Sequence, residues 1–248
     1  MRLMKTKRAF TLIELLVVVT IIGLLLAVLT PSLMSALAGG RKTGALSNLR
    51  QLGQGTMNYV HGNNGYFPLE KAGSGTASWS AMAAPAAAEV WYNAVPNLLD
   101  LAPASSYAAK PAGFYKSANL WAVPGARYPA NRSTAPMFPV SINSKLMDDL
   151  AIRQSEVAAP AQTVFYLESG TPAENDLRSP NQSTYDGQPH TFASRFIARH
   201  NKQGALTFCD GHAEARTAAD VVSAAGKAHF PPAAGGILWM ADPAANPN

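Results

Sequence analysis

The sequence predicts an α+β protein in which a long N-terminal helix packs on a C-terminal antiparallel β-sheet. Three observations support this fold class. An apolar run near the N-terminus is long enough to span a membrane, an amphipathic pattern follows it, and strand-like segments gather in the last third of the chain. With 48% hydrophobic and 14% charged residues, the 248-residue chain can bury a core, which excludes wholesale disorder.

The basic character of the chain is concentrated at its N-terminus. The formal net charge is +5, and the first eight residues supply four of these positive charges. The rest of the chain is therefore nearly neutral, and we expect no nucleic-acid binding. Cys209 is the only cysteine, which excludes an intramolecular disulfide and a four-cysteine zinc site.

The apolar run from Phe10 to Leu29 has 20 residues, no lysine or arginine, and one formal charge at Glu14. As a helix it would be about 30 Å long, which matches the hydrocarbon core of a bilayer. Because the basic residues precede it, the positive-inside rule places the N-terminus in the cytoplasm and the remainder outside. Pro31 should bend the helix, since proline lacks the N–H group and clashes with the preceding turn.

Three interpretations of this segment are open. A plain membrane anchor explains its length, but a carboxylate inside an apolar helix costs about 2.5–3.5 kcal/mol on insertion. A secretory signal sequence could be cut after Ala38, although the apolar run is longer than a typical signal core. In the third interpretation the chain is cut after Ala9, and Glu14 of one subunit pairs with the Phe10 amine of its neighbour in a helix bundle.

The string from Ala9 to Leu16, behind a basic leader, resembles the N-terminus of type IV prepilins and type II secretion pseudopilins. The resemblance implies that a prepilin peptidase removes the leader, residues 1–9, and methylates the new N-terminal Phe10. It also implies that Glu14 is the assembly glutamate and that Pro31 is the helix-bending proline of the family. The family usually has glycine before the cut, whereas this chain has alanine.

The same resemblance implies a structural subunit without enzymatic activity or a cofactor. Its partners would be further copies of itself, minor pilins or pseudopilins, the prepilin peptidase and an inner-membrane assembly platform. It would lie in the bacterial inner membrane as a single-pass protein and then in a periplasmic or extracellular filament. Pilus and secretion pseudopilus both stay open. The alternative is a secreted soluble binding or enzymatic domain, released after Ala38.

An amphipathic pattern predicts that the helix continues over residues 31–62, where residues 10–30 form the membrane-spanning or filament-core part. Apolar residues recur there mostly at steps of three and four: Leu33, Leu37, Leu46, Leu49, Leu52, Met57 and Val60. A dense turn signal at His61–Gly65 ends the pattern, so we expect a globular head over residues 63–248.

The run Ala45–Gly53, followed by Tyr66–Pro68, resembles large pilin-like families of planctomycete and verrucomicrobial bacteria. Those relatives often carry one cysteine before the first run and another before a later proline. Ala45 and Val123 stand in these places here, so the resemblance implies a head held together by packing alone.

The middle of the chain has weaker patterns. We expect a loop at 71–90, helical spacing at 89–101, irregular structure with short strands at 103–139, a strand at 163–168 and a polar loop at 170–190.

The last third predicts a β-hairpin. Residues 205–209 and 212–216 flank Asp210 and Gly211, the pair preferred where a tight turn needs positive φ at both central residues. Residues 195–200 predict a preceding strand. Along the first hairpin strand, Leu206 and Phe208 alternate with polar positions, so one face can pack on the long helix.

The spacing of His200, nine residues, and then Asp210 and Gly211 resembles the signature of the processing-associated pilin-like domain. A catalytic or zinc site is the competing interpretation, since a two-residue turn would pair Cys209 with His212. Zinc needs three or four ligands, and a cysteine nucleophile needs a base and an oxyanion hole, for which there is no motif. We therefore expect His200 and Asp210 to tie adjacent strands by hydrogen bonds.

Calcium is a second metal hypothesis. Major pseudopilins, which this chain resembles, bind calcium in a C-terminal loop. In the polar loop at 170–190, Glu174, Asp176 and Asp186 could donate oxygen ligands.

Overall fold

The structure is a computed structural model that describes residues 11–71, 77–116, 119–130, 132, 134–147, 151–233 and 235–248. The predicted leader, the cut after Ala9 and the methylated Phe10 lie outside these residues. The chain divides into two compact units: the first ends at Gly40 and the second is Arg41–Asn248. Each unit is described by itself below.

The regular elements of the described residues are helices and short strands. The α-helices are α1 (Leu12–Gly62), α2 (Trp79–Ala83), α3 (Trp91–Asn97) and α4 (Ala218–Val221). The strands are β1 (Val140–Asn143), β2 (Val164–Glu168), β3 (His190–Thr191), β4 (Gln203–Phe208) and β5 (Ala213–Thr217). Short 3-10 helices occupy Pro85–Ala87, Ala104–Tyr107, Pro111–Tyr115, Gln154–Glu156, Pro172–Leu177 and Ala193–Arg195.

The five strands form one sheet in the order β3-β1-β2-β4-β5. The three pairs along β1, β2, β4 and β5 are antiparallel, whereas β1 and β3 are parallel, with Ile142 opposite His190. The α+β class is confirmed, and the predicted antiparallel pairing holds for every strand pair except β1 and β3, which makes the sheet mixed. A two-residue strand such as β3 has no periodicity that a sequence pattern could reveal.

The part of α1 within the second unit packs on the sheet. Leu49, Leu52 and Val60 are buried, and Leu46 and Met57 are partly buried, as the amphipathic pattern predicts. Full burial of one such side chain contributes about 1.5–3 kcal/mol to folding.

Two buried hydroxyl groups fix this helix to the strands beneath it. Thr56 Oγ1 lies 2.9 Å from the hydroxyl of Tyr166 on β2, and Thr207 Oγ1 on β4 donates to the carbonyl of Leu49 at 3.1 Å. These bonds satisfy polar groups that burial would otherwise leave without partners.

Helix α1 ends where the turn signal predicts. The carbonyl oxygen of Val60 accepts hydrogen bonds from Asn63 N at 3.3 Å and Gly65 N at 3.0 Å. Asn64 and Gly65 have φ values of 53° and 83°, the left-handed conformation that commonly closes a helix.

The backbone of α1 comes very close to the turn between β4 and β5. A Cβ atom at Gly53 would lie 2.4 Å from the carbonyl oxygen of Gly211 and 2.9 Å from Thr207 Cγ2. Gly211 itself has a φ of 90°, and a Cβ there would lie 2.8 Å from Met57 Cγ. Only glycine fits at either position without displacing the helix from the sheet.

Both faces of the sheet are covered by apolar side chains. On the helix side the core contains Leu49, Leu52, Trp91, Trp121, Phe138, Tyr166, Ala205 and Cys209. On the opposite side the core contains Val164, Leu167, Leu206, Phe208, Val221 and Trp239. The alternation in β4 is confirmed, but Thr207 faces the helix, while Leu206 and Phe208 lie in the opposite core beneath the C-terminal segment.

The structure confirms some of the weaker sequence patterns and contradicts others. Helix α3 and strand β2 are confirmed. The short strands expected at 103–139 are absent from the described part of that range, which holds two 3-10 helices and irregular backbone. Residues 195–200 do not form the predicted strand, and only isolated bridges at Phe196 and His200 join them to neighbours.

The close contact at Gly53 gives a stability prediction. Gly53→Ala should lower the free energy of unfolding of the head by about 1–3 kcal/mol, because the added methyl group forces helix and turn apart. The measurement is thermal unfolding of the full chain in detergent.

Gly62→Ala is the matched control. Gly62 is also helical, and a Cβ there has nothing within 4 Å. It should leave stability unchanged or raise it by up to about 1 kcal/mol through helix propensity. Equal effects of the two substitutions would contradict the close contact.

Candidate functional site

The first unit exposes an apolar surface along its whole described helix. The large apolar side chains from Leu12 to Leu37 are 47–84% exposed. Monomeric soluble proteins rarely expose contiguous apolar surface on this scale, so the helix needs a lipid or protein environment. Of the helices in the described residues, α1 alone is long and apolar enough to cross a membrane, although an N-terminal signal sequence would meet the same criteria.

The exposed apolar surface extends beyond the predicted membrane segment. Leu33 and Leu37, which the amphipathic pattern grouped with the buried face, are 60% and 52% exposed. That grouping is wrong for these two residues, since the buried residues of α1 begin at Ala45. The helix continues through Pro31, and the bend there stays a prediction.

Glu14 closes the first turn of α1. Its Oε2 accepts hydrogen bonds from Thr11 N at 2.8 Å and Thr11 Oγ1 at 2.7 Å, and Glu14 N donates to Thr11 Oγ1 at 3.3 Å. This is a capping box, in which a threonine and a glutamate three residues later satisfy each other's backbone N–H groups. The Thr-x-x-Glu spacing is the sequence signal of a capping box, and the sequence analysis missed it.

The predicted hairpin is confirmed, but its turn is longer than predicted. Gly211 N donates to Phe208 O at 2.9 Å, and Phe208 N donates to His212 O at 2.9 Å. Gly211 has positive φ, whereas Asp210 does not. The turn is therefore a type I turn followed by a left-handed glycine. In a two-residue turn, Cys209 N would donate to His212 O. Here Cys209 N donates instead to the carbonyl of Thr163, next to β2, which excludes that turn.

This turn separates the side chains of the catalytic and zinc hypothesis. His212 faces Phe208, with the two rings stacked at 4.5 Å, and its Nδ1 lies 2.6 Å from Asp210 Oδ1. Cys209 is fully buried on the helix side. Burial, and then the Asp210 carboxylate, holds the pKa of the Cys209 thiol well above its ordinary value. The predicted Cys209–His212 pair is thus wrong, and the thiol is in its unreactive protonated form.

A buried charge cluster, formed by Glu168, Glu174, Arg199 and His200, lies before the start of β4. Arg199 Nη1 donates to Glu168 Oε1 at 2.6 Å, and Arg199 Nη2 donates to Glu174 Oε2 at 2.8 Å. His200 Nε2 lies 3.2 Å from Glu168 Oε1, and Ala205 N donates to Glu168 Oε2 at 2.7 Å. Every charged side chain of the cluster is at most 2% exposed.

The pKa values of Glu168 and Arg199 both shift in the direction that favours the charged form. Burial alone would raise the pKa of Glu168, but the guanidinium of Arg199, His200 and the N–H of Ala205 together hold it below its ordinary value of 4.5. Burial would likewise lower the pKa of Arg199, but Glu168 and Glu174 outweigh it and raise that pKa. Glu168 and Arg199 therefore stay ionised in the folded head.

The two signature residues lie at opposite ends of β4 and do not bond to each other. His200 contacts Glu168 at the end of β2, whereas Asp210 Oδ1 accepts from His212 N at 3.1 Å within its own turn. The expected tie between adjacent strands holds for His200 only. Sequence reasoning missed Glu168 and Arg199, although a charge at the end of an apolar strand and an arginine within an apolar segment were visible signals.

The calcium candidates are each held by a different arginine. Glu174 is bonded to Arg199, Asp176 to Arg127, and Asp186 to Arg195 at 2.9 Å. Within the described ranges no three histidine, cysteine or acidic side chains converge as a metal site would require. A cation at this loop would have to displace an arginine, and calcium binding stays an untested prediction.

The buried charge cluster gives a second stability prediction. Arg199→Met should lower the free energy of unfolding by about 3–5 kcal/mol, because it leaves two buried carboxylates without their cation. The control Arg127→Met breaks the exposed pair with Asp176 and should leave the melting temperature nearly unchanged. Comparable losses in both variants would contradict this assignment.

The same cluster sets the sign of a pH dependence. Because the pKa of Glu168 is lowered in the folded head, its contribution to stability is present above 4.5 and is lost as the pH falls through the folded value. In Arg199→Met, burial should raise the pKa of Glu168 instead. The loss of melting temperature between about pH 6 and 4 should therefore be smaller in the variant than in the wild type.

Comparison with known sequences finds one matching motif, at the N-terminus of the chain. Residues 4–30 match the model of the prokaryotic N-terminal methylation motif, which includes the expected cleavage site and the apolar run. No curated protein and no solved structure matches the chain. The match does not extend to the signature residues His200 and Asp210. The matched motif and the exposed apolar helix that carries it support a type IV pilin-like or pseudopilin-like protein.

Proposed function

We propose that this protein is a prepilin that becomes the structural subunit of a filament. It is inserted into the bacterial inner membrane with its N-terminus in the cytoplasm, cut after Ala9 by prepilin peptidase and methylated at Phe10. The mature chain then polymerises into a type IV pilus or a type II secretion pseudopilus. The observation that carries the proposal is the methylation motif at residues 4–30 on a helix whose apolar side chains are exposed.

Assembly would move the apolar helix from lipid into a bundle of identical helices. Lipid tails are as apolar as leucine, so this transfer gains little from the hydrophobic effect, and packing together with polar contacts must supply the association. Residues 10–30 would form the filament core and residues 31–62 would connect it to the head. Partners are further copies, minor pilins or pseudopilins, and the inner-membrane assembly platform.

Glu14 has the geometry to serve both as a helix cap and as an assembly group. Both bonds from Thr11 end on Oε2, so Oε1 has no partner within the described part of the chain. The terminal ammonium group of a neighbouring Phe10 could donate to Oε1 while the cap stays intact. Such a pair in a low-dielectric bundle would favour one axial register, because any other register leaves two buried charges unpaired.

We propose that the chain carries out no chemistry of its own. Cys209 is buried and protonated, and His200 is engaged by Glu168. These environments support a packing role for residues that could otherwise suggest a thiol enzyme.

A secreted soluble domain is the second candidate function, and one observation favours it. The compact unit Arg41–Asn248 begins just after Ala38, so a signal peptidase cut there would release nearly this unit. A cut after Ala38 would also remove Glu14 and the matched motif. The secreted-domain hypothesis therefore leaves both unexplained, whereas the filament hypothesis explains them.

The N-terminus of the natural product distinguishes the two candidates. Intact mass and N-terminal sequencing of the protein from native cells should give a chain that begins at methylated Phe10. A chain that begins at Gly39 would establish the secreted domain. A chain that retains the leader would contradict the prepilin hypothesis.

Two substitutions separate the cap from the charge pair. Glu14→Gln can still accept the Thr11 bonds but carries no charge, whereas Thr11→Val breaks the cap and keeps the carboxylate. We expect Glu14→Gln to insert in the membrane normally but to enter filaments at least about tenfold less well, since an unpaired buried charge costs several kcal/mol. Thr11→Val should be incorporated nearly as well as the wild type. The opposite order in sheared-filament yield would assign Glu14 to capping alone.

A further inference from the structure

We infer that a basic collar, formed by Arg41, Lys42 and Lys202, binds the phosphate groups of anionic phospholipids at the outer surface of the inner membrane. The collar would hold the head of the subunit against the bilayer before assembly. This inference rests on the proposed function for membrane insertion and for an outward-facing head.

The spacing of basic residues along the chain fits the full thickness of a bilayer. Between Arg8 and Arg41 lie 32 residues without a lysine or arginine, and the described part of this stretch is helical from Leu12 to Gly40. The described helix from Leu12 to Gly40 measures about 44 Å, and a tilt of about 20° reduces its span to roughly 41 Å. A bilayer with its head groups is about 40–45 Å thick. Arg41 and Lys42 would therefore reach the outer head-group layer.

The fold of the head brings a third basic residue to Arg41 and Lys42. Lys42 Nζ donates to the side-chain oxygen of Gln203 at 3.1 Å. Gln203 directly follows Lys202 in a two-residue turn closed by reciprocal backbone bonds between His200 and Gln203 at 2.9 and 3.0 Å. Lys202 therefore lies at the same end of the head as Lys42, although the two are 160 residues apart in sequence.

The backbone at Lys202 has a conformation that side chains rarely adopt. Asn201 and Lys202 have φ values of 49° and 63°, the left-handed region at both central positions of the turn. Glycine is the favoured residue at the second of these positions, and a lysine there is strained. Strain of this kind persists where the surrounding structure holds it, and here the His200–Gln203 bonds keep the exposed Lys202 in the turn.

Among the described residues of the head, no acidic side chain pairs with the basic residues of the collar. Elsewhere in the head the arginines that pair with carboxylates are Arg127, Arg195, Arg199 and Arg216. Arg41, Lys42 and Lys202 form no ion pair with an acidic side chain of the described residues, and Arg41 and Lys202 are exposed. Three cations that have no acidic partner in the described part of the chain suit the phosphates of an anionic leaflet.

Energy transfer from the head to the lipid surface tests the inference. The four tryptophans, Trp79, Trp91, Trp121 and Trp239, all lie in the second unit and act as donors. The full chain is reconstituted into vesicles with a dansylated head-group lipid as acceptor, either in phosphatidylcholine alone or with roughly one-third phosphatidylglycerol. Transfer should be higher with phosphatidylglycerol and should fall to the phosphatidylcholine level at about 1 M salt, where screening is nearly complete.

Matched variants assign the effect to the collar. The triple variant Arg41→Gln, Lys42→Gln, Lys202→Gln should lose the preference for phosphatidylglycerol entirely. Lys202→Gly should lose part of it while the turn is preserved, because glycine relieves the strained conformation. The triple control Lys110→Gln, Lys116→Gln, Lys227→Gln changes the net charge equally and should keep the preference. A preference that survives loss of the collar, or that the control abolishes equally, would overturn the inference.

Three further controls separate the remaining explanations. Flotation with the vesicles reports insertion, and a chain that fails to insert contradicts the proposed function rather than the collar. Dependence of the transfer on protein density would assign the collar to a second copy of the chain and overturn the lipid assignment. Stronger competition by inorganic phosphate than by chloride at equal ionic strength would identify a general anion site and also overturn it.

Discussion

Where helix α1 meets the turn between β4 and β5, a carbonyl oxygen occupies the place that a side chain at Gly53 would need. This contact sets the distance between helix and sheet, and the surrounding core is built to that distance. Thr56 and Thr207 can then bond across the interface, and Leu49 and Leu52 can be buried beneath the helix. The head is therefore organised around a helix that belongs to it only from residue 41 onward.

The buried charge cluster holds together segments that the sheet does not. Arg199 joins the end of β2 to the 3-10 helix at Pro172–Leu177, and His200 adds the turn that precedes β4. Ala45 and Val123, the two positions at which the resemblance led us to look for cysteines, are both buried apolar residues. Ionic bonds of this kind are weak evidence for added stability, but they specify one arrangement of irregular segments because every alternative leaves a buried charge unpaired.

Local patterns predicted much of this fold, and contacts distant in sequence account for most of what they missed. The end of α1, strand β2 and the hairpin each follow from neighbouring residues. The length of the hairpin turn does not, because it depends on the bond between Cys209 and Thr163 across the sheet. The partnership of Glu168 and Arg199 is equally non-local. The capping box at Glu14 is also a local signal. The sequence analysis missed it because the charge of Glu14 within an apolar run suggested a role in assembly instead.

The cap on α1 has a consequence for maturation. Thr11 and Glu14 satisfy the first turn from residues that lie after the expected cut. If the proposed processing takes place, the trimmed subunit keeps both partners of this cap, so its new end starts with a helix that is already closed.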